Sequence, residues 1–292
     1  MKGIQVQADS GHSILYNASL PDPVPSSDQL LIKVLASPIN PSDALNATGA
    51  FPYTTFPRIP GRDFAGIVVK APPDSTVPVG AEVFGTSGPA AAVGVPYSTA
   101  WLALKRTQAK AGETVLVVGA SGAVGFAVMQ IAKQLGCNVI GAARNDEAEV
   151  DLRKDPELKT VKERLTPGGK GADVCVDAVG STDIMPHELK ALGVNGRWAF
   201  ISTAHGDPVL SVNLKEVYRQ NQMLVGCNSL VISQAEMASA LTQLAQWFDS
   251  GELEAPKEAQ FTKVSIEELA KAYEDTISNK AGRKKFVVEF DR

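Results

Sequence analysis

A glycine-rich segment near the middle of the chain has the residue types and spacing of a phosphate-binding turn. The sequence Ala-Ser-Gly-Ala-Val-Gly fits the pattern G-x-G-x-x-G with alanine in the first position. Gly122 would let the backbone approach a pyrophosphate, and Gly125 would let the next helix pack on the preceding strand. The phosphates would lie at the helix N-terminus, where unpaired N–H groups and the helix dipole favour negative charge. The predicted cofactor contacts of this turn are Ala120, Ser121, Gly122, Ala123, Val124 and Gly125.

A tight turn with only a structural role is the alternative explanation of these small residues. The surrounding sequence favours the dinucleotide, because a β-branched run over 115–118 precedes the turn and helical spacing over 126–135 follows it. A second strand is predicted over 138–143. Strand, glycine turn, helix and strand together are the context that the dinucleotide motif requires.

Arg144 and Asn145 follow that second predicted strand, about 20 residues beyond the turn. An NAD-preferring site usually has an acidic side chain there, which binds the ribose hydroxyls. A guanidinium instead suits a 2′-phosphate, so the sequence favours NADP(H). A solvated surface arginine is the alternative explanation, and Asp146 and Glu147 lie close by in the sequence.

Further polar or small residues follow the strands predicted later in the chain. Val179 and Gly180 come just after Asp177 at one strand end, and Ser202 follows the next strand. In a doubly wound sheet the ligand binds at the carboxyl ends of the strands, so these residues are predicted cofactor contacts. Asn228 is predicted to approach the nicotinamide amide. Loop geometry alone is the alternative explanation for each of them.

The elements that must position these residues alternate between strand and helix along the middle of the chain. The predicted strands cover residues 29–35, 65–69, 81–84, 115–118, 138–143, 149–152, 173–176, 197–201 and 286–290. Helices are predicted over 126–135, from 155 onwards, over 234–248 and after a capping box at 265–268. This order indicates an α/β fold with two domains. A doubly wound parallel sheet is predicted over 95–254, and a mainly β domain over 1–94 and 255–292.

Composition excludes several classes of protein. The 292 residues suffice for roughly two domains, and the apolar and charged fractions are those of an ordinary globular protein. A net charge of −4 argues against nucleic acid or an anionic membrane as the main partner. The longest apolar tract, 114–129, is interrupted by glycines and is shorter than the ~20 residues of a membrane span. The sequence therefore predicts neither a nucleic-acid-binding nor a membrane protein.

The N-terminal segment and the cysteines predict a cytoplasmic location. The first residues contain no apolar stretch that could act as a signal peptide. Cys137, Cys175 and Cys227 are far apart and form no C-x-x-C pair, so they are expected to be reduced core thiols.

Several motifs of the chain carry a family resemblance. They are SPINPSDALNATGAFPYTTFPRIPGRDFAGIVV, VPYSTAWLAL, VVGASGAVG, VCVDAVG and GRKKFVVEF. Together they resemble the medium-chain dehydrogenase/reductase superfamily, in particular its zinc-independent, zeta-crystallin-like quinone oxidoreductase branch. The resemblance covers most of the chain. It implies a GroES-like, mainly β catalytic domain beside a Rossmann cofactor domain, a nicotinamide cofactor and a homodimer.

The resemblance also limits the chemistry. Zinc alcohol dehydrogenases of this superfamily carry a cysteine ligand near Pro41 and Gly-His-Glu where this chain has Gly-Arg-Asp at 61–63. The histidines His12, His187 and His205 have no Cys or His neighbours at ligand spacing, so no metal site is predicted. The remaining reaction is hydride transfer from NADPH to a small-molecule quinone or α,β-unsaturated carbonyl, in which the cofactor carries the difficult step.

Asn40 and Tyr53 are the candidate catalytic residues. The resemblance places Asn40 beside the nicotinamide, where its amide would donate to the developing enolate or hydroquinone oxygen. A turn residue before a proline is the alternative. Enoyl thioester reductases similar to this segment have a catalytic tyrosine where this chain has Phe51. Tyr53 could substitute for it, with an aromatic wall as the alternative role.

The missing tyrosine hydroxyl favours quinone or enone reduction over enoyl thioester reduction. It also leaves open a protein that binds NADPH as a sensor or structural component without catalysis.

Two connections are shorter than expected. Residues 144–148 alone separate two predicted parallel strands, whereas such neighbours need a crossover of about a dozen residues. Residues 85–88 run almost directly into 89–92, where the family has further strands. Genuine shortening, which would open the substrate pocket on one side, and omission of residues are the two explanations. We expect omission, with chain breaks at Gly88–Pro89 and Glu147–Ala148 in place of the usual Cα spacing of about 3.8 Å.

Overall fold

A computed structural model describes residues 1–9, 11–51, 54–86, 94–203, 207–278, 280–282 and 284–290. Its strands are β1 (Gly3–Val6), β2 (Ile14–Asn17), β3 (Leu31–Pro38), β4 (Asp63–Lys70), β5 (Glu82–Thr86), β6 (Thr114–Val118), β7 (Asn138–Ala143), β8 (Val150–Asp151), β9 (Ala172–Asp177), β10 (Leu192–Phe200), β11 (Met223–Gly226), β12 (Thr262–Val264) and β13 (Phe286–Glu289). Its helices are α1 (Pro41–Ala47), α2 (Gly94–Arg106), α3 (Ala123–Gln134), α4 (Met185–Ala191), α5 (Leu214–Gln220), α6 (Gln234–Asp249) and α7 (Leu269–Ile277).

The chain divides into two compact units. Met1–Val95 and Ala255–Arg292 form the first, and Pro96–Glu254 forms the second. The first unit contains a two-stranded antiparallel sheet, β1-β2, and a five-stranded sheet of order β12-β13-β3-β4-β5. Its core packs α1 and α7 against these strands through residues such as Ala44, Leu269 and Phe286.

The second unit contains a six-stranded parallel sheet of order β11-β10-β9-β6-β7-β8. After β6 the chain proceeds to one side of the sheet, and after β8 it returns to the other side of β6. All side chains of β6 are buried, because both faces of a parallel sheet are covered. The predicted α/β fold with a doubly wound parallel sheet and a separate second sheet is confirmed.

The predicted helix begins later than expected, at residue 159 and not at Asp155. The Asp155 carboxylate accepts from the backbone N–H groups of Lys159 and Thr160, and Leu158 has a left-handed φ of 56°. These features hold residues 155–158 in turns, and the helical backbone covers only 159–165, most of it as the π-helix Val161–Leu165. Apolar spacing alone does not reveal this competition between the aspartate and the helix.

The expected omission of residues at Glu147–Ala148 remains a prediction. The segment between β7 and β8 forms a turn in which the Ala148 N–H donates to Asn145 Oδ1 over 3.0 Å. β8 pairs in parallel with only the last two residues of β7, Ala142 and Ala143. The connection therefore has to return along β7 by only two residues, which a turn achieves without a helical crossover. The Gly88–Pro89 position lies outside the described residues.

The connection between β7 and β8 leaves the middle of β7 without a neighbouring strand on that side. There a Glu149 carboxylate oxygen accepts from the Gly141 N–H over 2.8 Å, in place of a strand carbonyl. Among the described residues, no helix has both the length and the apolar character needed to cross a bilayer.

Candidate functional site

The glycine turn lies directly after β6. Gly119 has a φ of +87°, a left-handed conformation that favours glycine, and its N–H donates to the Ala142 carbonyl of β7. The sharp bend is therefore made by Gly119, one residue before Ala120, to which the sequence motif assigned the first position. A Cβ on Gly119 would lie 2.9 Å from Val179 Cγ2, so the next strand end packs closely on the bend.

Gly125 is required by the close approach of α3 to this bend. A Cβ at that position would lie 2.1 Å from the Gly119 carbonyl oxygen and 2.8 Å from Ala120 Cα. Both neighbours are backbone atoms, which cannot move aside without unfolding the turn. Gly122 is the N-cap of α3 in extended conformation, and its carbonyl accepts from the Phe126 N–H. The predicted role of Gly125, helix-to-strand packing, matches this geometry.

The first turn of α3 offers unused hydrogen-bond donors. Within the described part of the chain, the N–H groups of Ala123, Val124 and Gly125 have no acceptor, and no side chain caps the helix. Ser121 and Gly122 are exposed, so the bend is open to solvent. Such a cradle, with the helix dipole behind it, fits a pyrophosphate.

A loop after β9 forms one wall of the turn. Asp177 is fully buried, and its Oδ1 accepts from the N–H groups of Val179 (2.7 Å) and Gly180 (3.0 Å). The Ala178 N–H donates to the Val118 carbonyl, which ties the loop to β6. The structure thus brings Val179 and Gly180 next to the glycine turn. Sequence analysis missed the part played by Asp177, although its place at a strand end was a usable signal.

The other predicted cofactor residues lie along the same edge of the sheet. Arg144 and Asn145 follow β7, Ser202 follows β10, and Asn228 follows β11. From β7 to β11 the edge crosses four strand intervals, about 19 Å at the usual spacing. Asn145 Oδ1 is engaged by Ala148, and Asn228 Oδ1 accepts from the Leu230 N–H, so both asparagines shape their loops. Arg144 is exposed at this edge.

In the first unit, Asn40 is the centre of a buried polar network. Its Nδ2 donates to Asp43 Oδ2 (2.9 Å) and to Asp63 Oδ2 (2.7 Å). Turning the amide over would bring Oδ1 against two carboxylate oxygens, so the network fixes this orientation. Both Nδ2 hydrogens are therefore used within the protein. The predicted donation from Asn40 to a substrate oxygen would require one of these bonds to break.

Arg62 compensates the charge of this network. Its Nε donates to Asp43 Oδ1 over 2.6 Å, and its guanidinium also contacts the Ser42 hydroxyl. The Asp63 carboxylate accepts from the Val95 N–H over 2.9 Å. Sequence analysis considered positions 61–63 only as missing zinc ligands and did not predict that Arg62 joins Asp43.

Tyr273 of α7 faces the same network. A Cβ on Gly61 would lie 3.1 Å from its hydroxyl oxygen, so glycine leaves room for the phenol. Burial, and then the charge of Asp43, raise the pKa of Tyr273 far above its usual range, so the hydroxyl keeps its proton. Tyr53, the second candidate catalytic residue, lies outside the described residues.

In the parts of the chain that the structure describes, no group of three or more His, Cys, Asp or Glu side chains could hold a metal ion. Two surface cavities, of about 580 Å³ beside α5 and about 460 Å³ between α2 and α6, contain none of the predicted site residues.

Comparison with known proteins identifies the family to which the chain belongs. Residues 26–128 match the family model of the alcohol dehydrogenase GroES-like domain, and residues 123–246 match that of the zinc-binding dehydrogenases. A zinc-type alcohol dehydrogenase-like protein of Schizosaccharomyces pombe is 41% identical over 266 positions, covering 80% of each chain. This chain belongs to the medium-chain dehydrogenase/reductase family. It is therefore an oxidoreductase, and its cofactor is a nicotinamide dinucleotide.

Two further members of the medium-chain dehydrogenase/reductase family are similar over nearly the whole chain. The quinone oxidoreductase of Lama guanicoe is 28% identical over 331 positions, covering 99% of this chain and 97% of the relative. Since this chain has 292 residues, the relative contains internal segments without a counterpart here. The crystal structure of Escherichia coli quinone oxidoreductase complexed with NADPH shares the fold, with a TM-score of 0.80 and 21% identity, covering 99% of this chain and all of that one.

We expect Gly125→Ala to weaken binding of the nicotinamide cofactor at least tenfold, because the added methyl group would push α3 away from the bend. Calorimetry with NADPH and with NADH measures the change. Gly11→Ala is the control, because a Cβ there meets nothing closer than 3.9 Å. Equal affinity in both variants would contradict the proposed cradle.

Asn40→Asp is expected to destabilise the first unit by about 3 kcal/mol at pH 7, because a third buried carboxylate would face Asp43 and Asp63 without a donor between them. Protonation of the new carboxyl removes the repulsion, so the loss should shrink as the pH falls towards 4. Thermal unfolding at both pH values tests this, with Asn17→Asp as the control, because it lies in the same unit and keeps the acceptor for the Ser19 N–H. A loss that does not depend on pH would exclude charge repulsion as its cause.

Proposed function

We propose that this chain is an NADPH-dependent, zinc-independent reductase that transfers hydride to a quinone or an α,β-unsaturated carbonyl. The observation that carries the proposal is the exposed glycine turn, with its unused N–H donors at the start of α3. Arg144 at the end of the neighbouring strand supports NADPH over NADH, since an exposed guanidinium can form a bidentate contact with a 2′-phosphate.

The cofactor would be held at the carboxyl edge of the parallel sheet. The unused N–H groups of residues 123–125 in the turn 120–125 would bind its pyrophosphate, Arg144 and Asn145 its adenosine ribose, and Val179, Gly180, Ser202 and Asn228 its remaining length. When bound, NADPH supplies the hydride. The chain's own contribution is to orient the cofactor and to keep its charged groups on fixed backbone donors.

Zinc independence is supported by the charge at position 62. Arg62 is a permanent cation that forms a short ion pair with the buried Asp43. A divalent cation in the same network would be repelled by the guanidinium, and it would have to displace Asn40 from the two carboxylates. The residues present therefore fit a self-contained polar network better than a zinc site.

Asn40 and Tyr53 remain our candidate catalytic residues. In the described network the Nδ2 donors of Asn40 face Asp43 and Asp63. A rearrangement that frees one Nδ2 hydrogen would make it a donor to a developing oxyanion. We assign residues 1–94 and 255–292 to the catalytic domain and 95–254 to the cofactor domain.

A homodimer is part of the proposal. β11 is the edge strand of the six-stranded sheet, and Met223 and Leu224 on it are exposed by 52% and 44%. An edge strand with exposed apolar side chains readily pairs with another chain. A second copy of this chain is the partner we propose.

A non-catalytic NADPH-binding protein is the second candidate function. Two observations favour it: Phe51 stands where similar enoyl reductases have tyrosine, and both Asn40 donors are used internally. An enoyl thioester reductase is the third, and the same phenylalanine weakens it.

Turnover tests the main proposal directly. We expect the purified protein with NADPH and a panel of quinones and enones to consume the nicotinamide absorbance, with Gly125→Ala reducing the rate by at least tenfold at limiting NADPH. Tight NADPH binding without turnover of any acceptor would select the non-catalytic alternative. Absence of binding to both NADPH and NADH would contradict both.

Cofactor preference tests the role of Arg144. Arg144→Glu should weaken NADPH binding by about 10- to 100-fold and favour NADH, because it replaces a charge-assisted contact with repulsion of the 2′-phosphate. Arg164→Glu, at an exposed arginine of the same unit, is the matched control. An unchanged ratio of the two dissociation constants would exclude Arg144 as the phosphate partner.

A further inference from the structure

Two fully buried carboxyl groups lie beneath the loop that borders the glycine turn. Asp177 at the end of β9 and Glu188 in α4 each have 0% exposure. A buried carboxylate is costly unless donors or a cation compensate it. Asp177 has the N–H groups of Val179 and Gly180 as donors. Glu188 has no lysine or arginine partner within the described residues.

The strand register places these groups on one face of the sheet. In the pairing of β9 with β10, Trp198 lies opposite Cys175 and Phe200 opposite Asp177, and alternate residues of a strand share a face. Trp198 Nε1 donates to Glu188 Oε2 over 2.7 Å. The other carboxyl oxygen, Oε1, is buried and has no hydrogen-bond partner in the described part of the chain.

Two carboxyl groups in this position cannot both be ionised without a large cost. Burial raises the pKa of Glu188 well above its usual range, and the charge of Asp177 raises it further. Among the described residues, Cys175 of β9 and Trp198 of β10 also face this pair, and burial raises the pKa of the Cys175 thiol. With Glu188 neutral, Asp177 is free to remain an anion and to hold its two backbone donors.

The loop that Asp177 holds is the wall of the cofactor cradle. Its Oδ1 fixes Val179 and Gly180, and Val179 packs against Gly119 so closely that a Cβ there would clash. A negative charge on Glu188 would repel the Asp177 carboxylate, which holds these two backbone donors.

We propose that Glu188 is a positioning residue whose proton keeps the Val179–Gly180 loop in its cofactor-binding form, so that cofactor binding is linked to retention of one buried proton. Loss of that proton to solvent at alkaline pH loosens the loop and weakens binding. This inference rests on the proposed function, because it concerns regulation of the same cofactor site.

The dissociation constant of NADPH, measured by calorimetry between pH 6 and 10, is the first test. The wild-type protein should show an alkaline limb in which the constant rises by up to about tenfold per pH unit, as loss of one linked proton requires. Glu188→Gln, which keeps an acceptor for Trp198 but cannot ionise, should remove this limb. Glu163→Gln, at an exposed glutamate, should retain it.

Tryptophan fluorescence is the second test and needs no cofactor. Trp101→Phe and Trp247→Phe leave Trp198 as the single indole of the chain. Its emission should change with pH at the midpoint of the alkaline limb, and Glu188→Gln should abolish the change. An alkaline rise of the NADPH dissociation constant that is equal in wild type and Glu188→Gln would overturn the inference. A Trp198 emission that does not change with pH would also overturn it.

The two proposals fail in different ways. NADPH and NADH that do not bind at any pH would contradict the proposed function and, with it, this inference, whatever Trp198 shows. Tight binding with an identical pH dependence in both proteins would leave the proposed function intact and remove only the role of Glu188. A merely structural glutamate would alter the unfolding temperature without changing the slope of the binding constant against pH.

Discussion

The approach of α3 to the bend after β6 is the constraint on which the cofactor edge depends. Gly125 lies so close to the Gly119 carbonyl that no side chain fits between them. This contact sets the direction of α3, and the direction of α3 decides where its free N–H groups point. The parallel neighbours of β6 then bring the loops after β7 and β9 to either side of the bend. A site for a charged, extended cofactor thus follows from one backbone contact and the order of three strands.

Much of this edge could be predicted from sequence, because the signals are local. The strand, the glycine spacing and the helix occur within one short stretch, and residues after parallel strands reach the same edge by topology alone. The first glycine position was assigned one residue late, because the motif pattern tolerates alanine there and only the backbone angle identifies Gly119. The start of the helix predicted from Asp155 was placed too early for a similar reason, since the Asp155 carboxylate binds the backbone N–H groups of Lys159 and Thr160 and the helix begins only there.

The buried polar side chains were much harder to predict from the sequence. Asn40, Asp43, Arg62 and Asp63 come together from α1 and β4 and from the segment before β4, and no periodicity links them. Glu188 looks like an ordinary surface residue of a short helix, yet it is buried against Trp198. Such groups are placed by tertiary packing, and their protonation is set by neighbours that are distant in the sequence.

The short connection between β7 and β8 leaves most of β7 without a neighbouring strand on that side. A parallel sheet that stops early on one side leaves amide groups able to recruit a strand from another molecule. Here the Glu149 carboxylate accepts from the Gly141 N–H. A peptide strand that replaced this carboxylate would have to remove water from a charged group, which is costly. The Glu149 side chain thereby disfavours pairing of a strand from another molecule with β7 at Gly141, where no helical crossover covers the backbone.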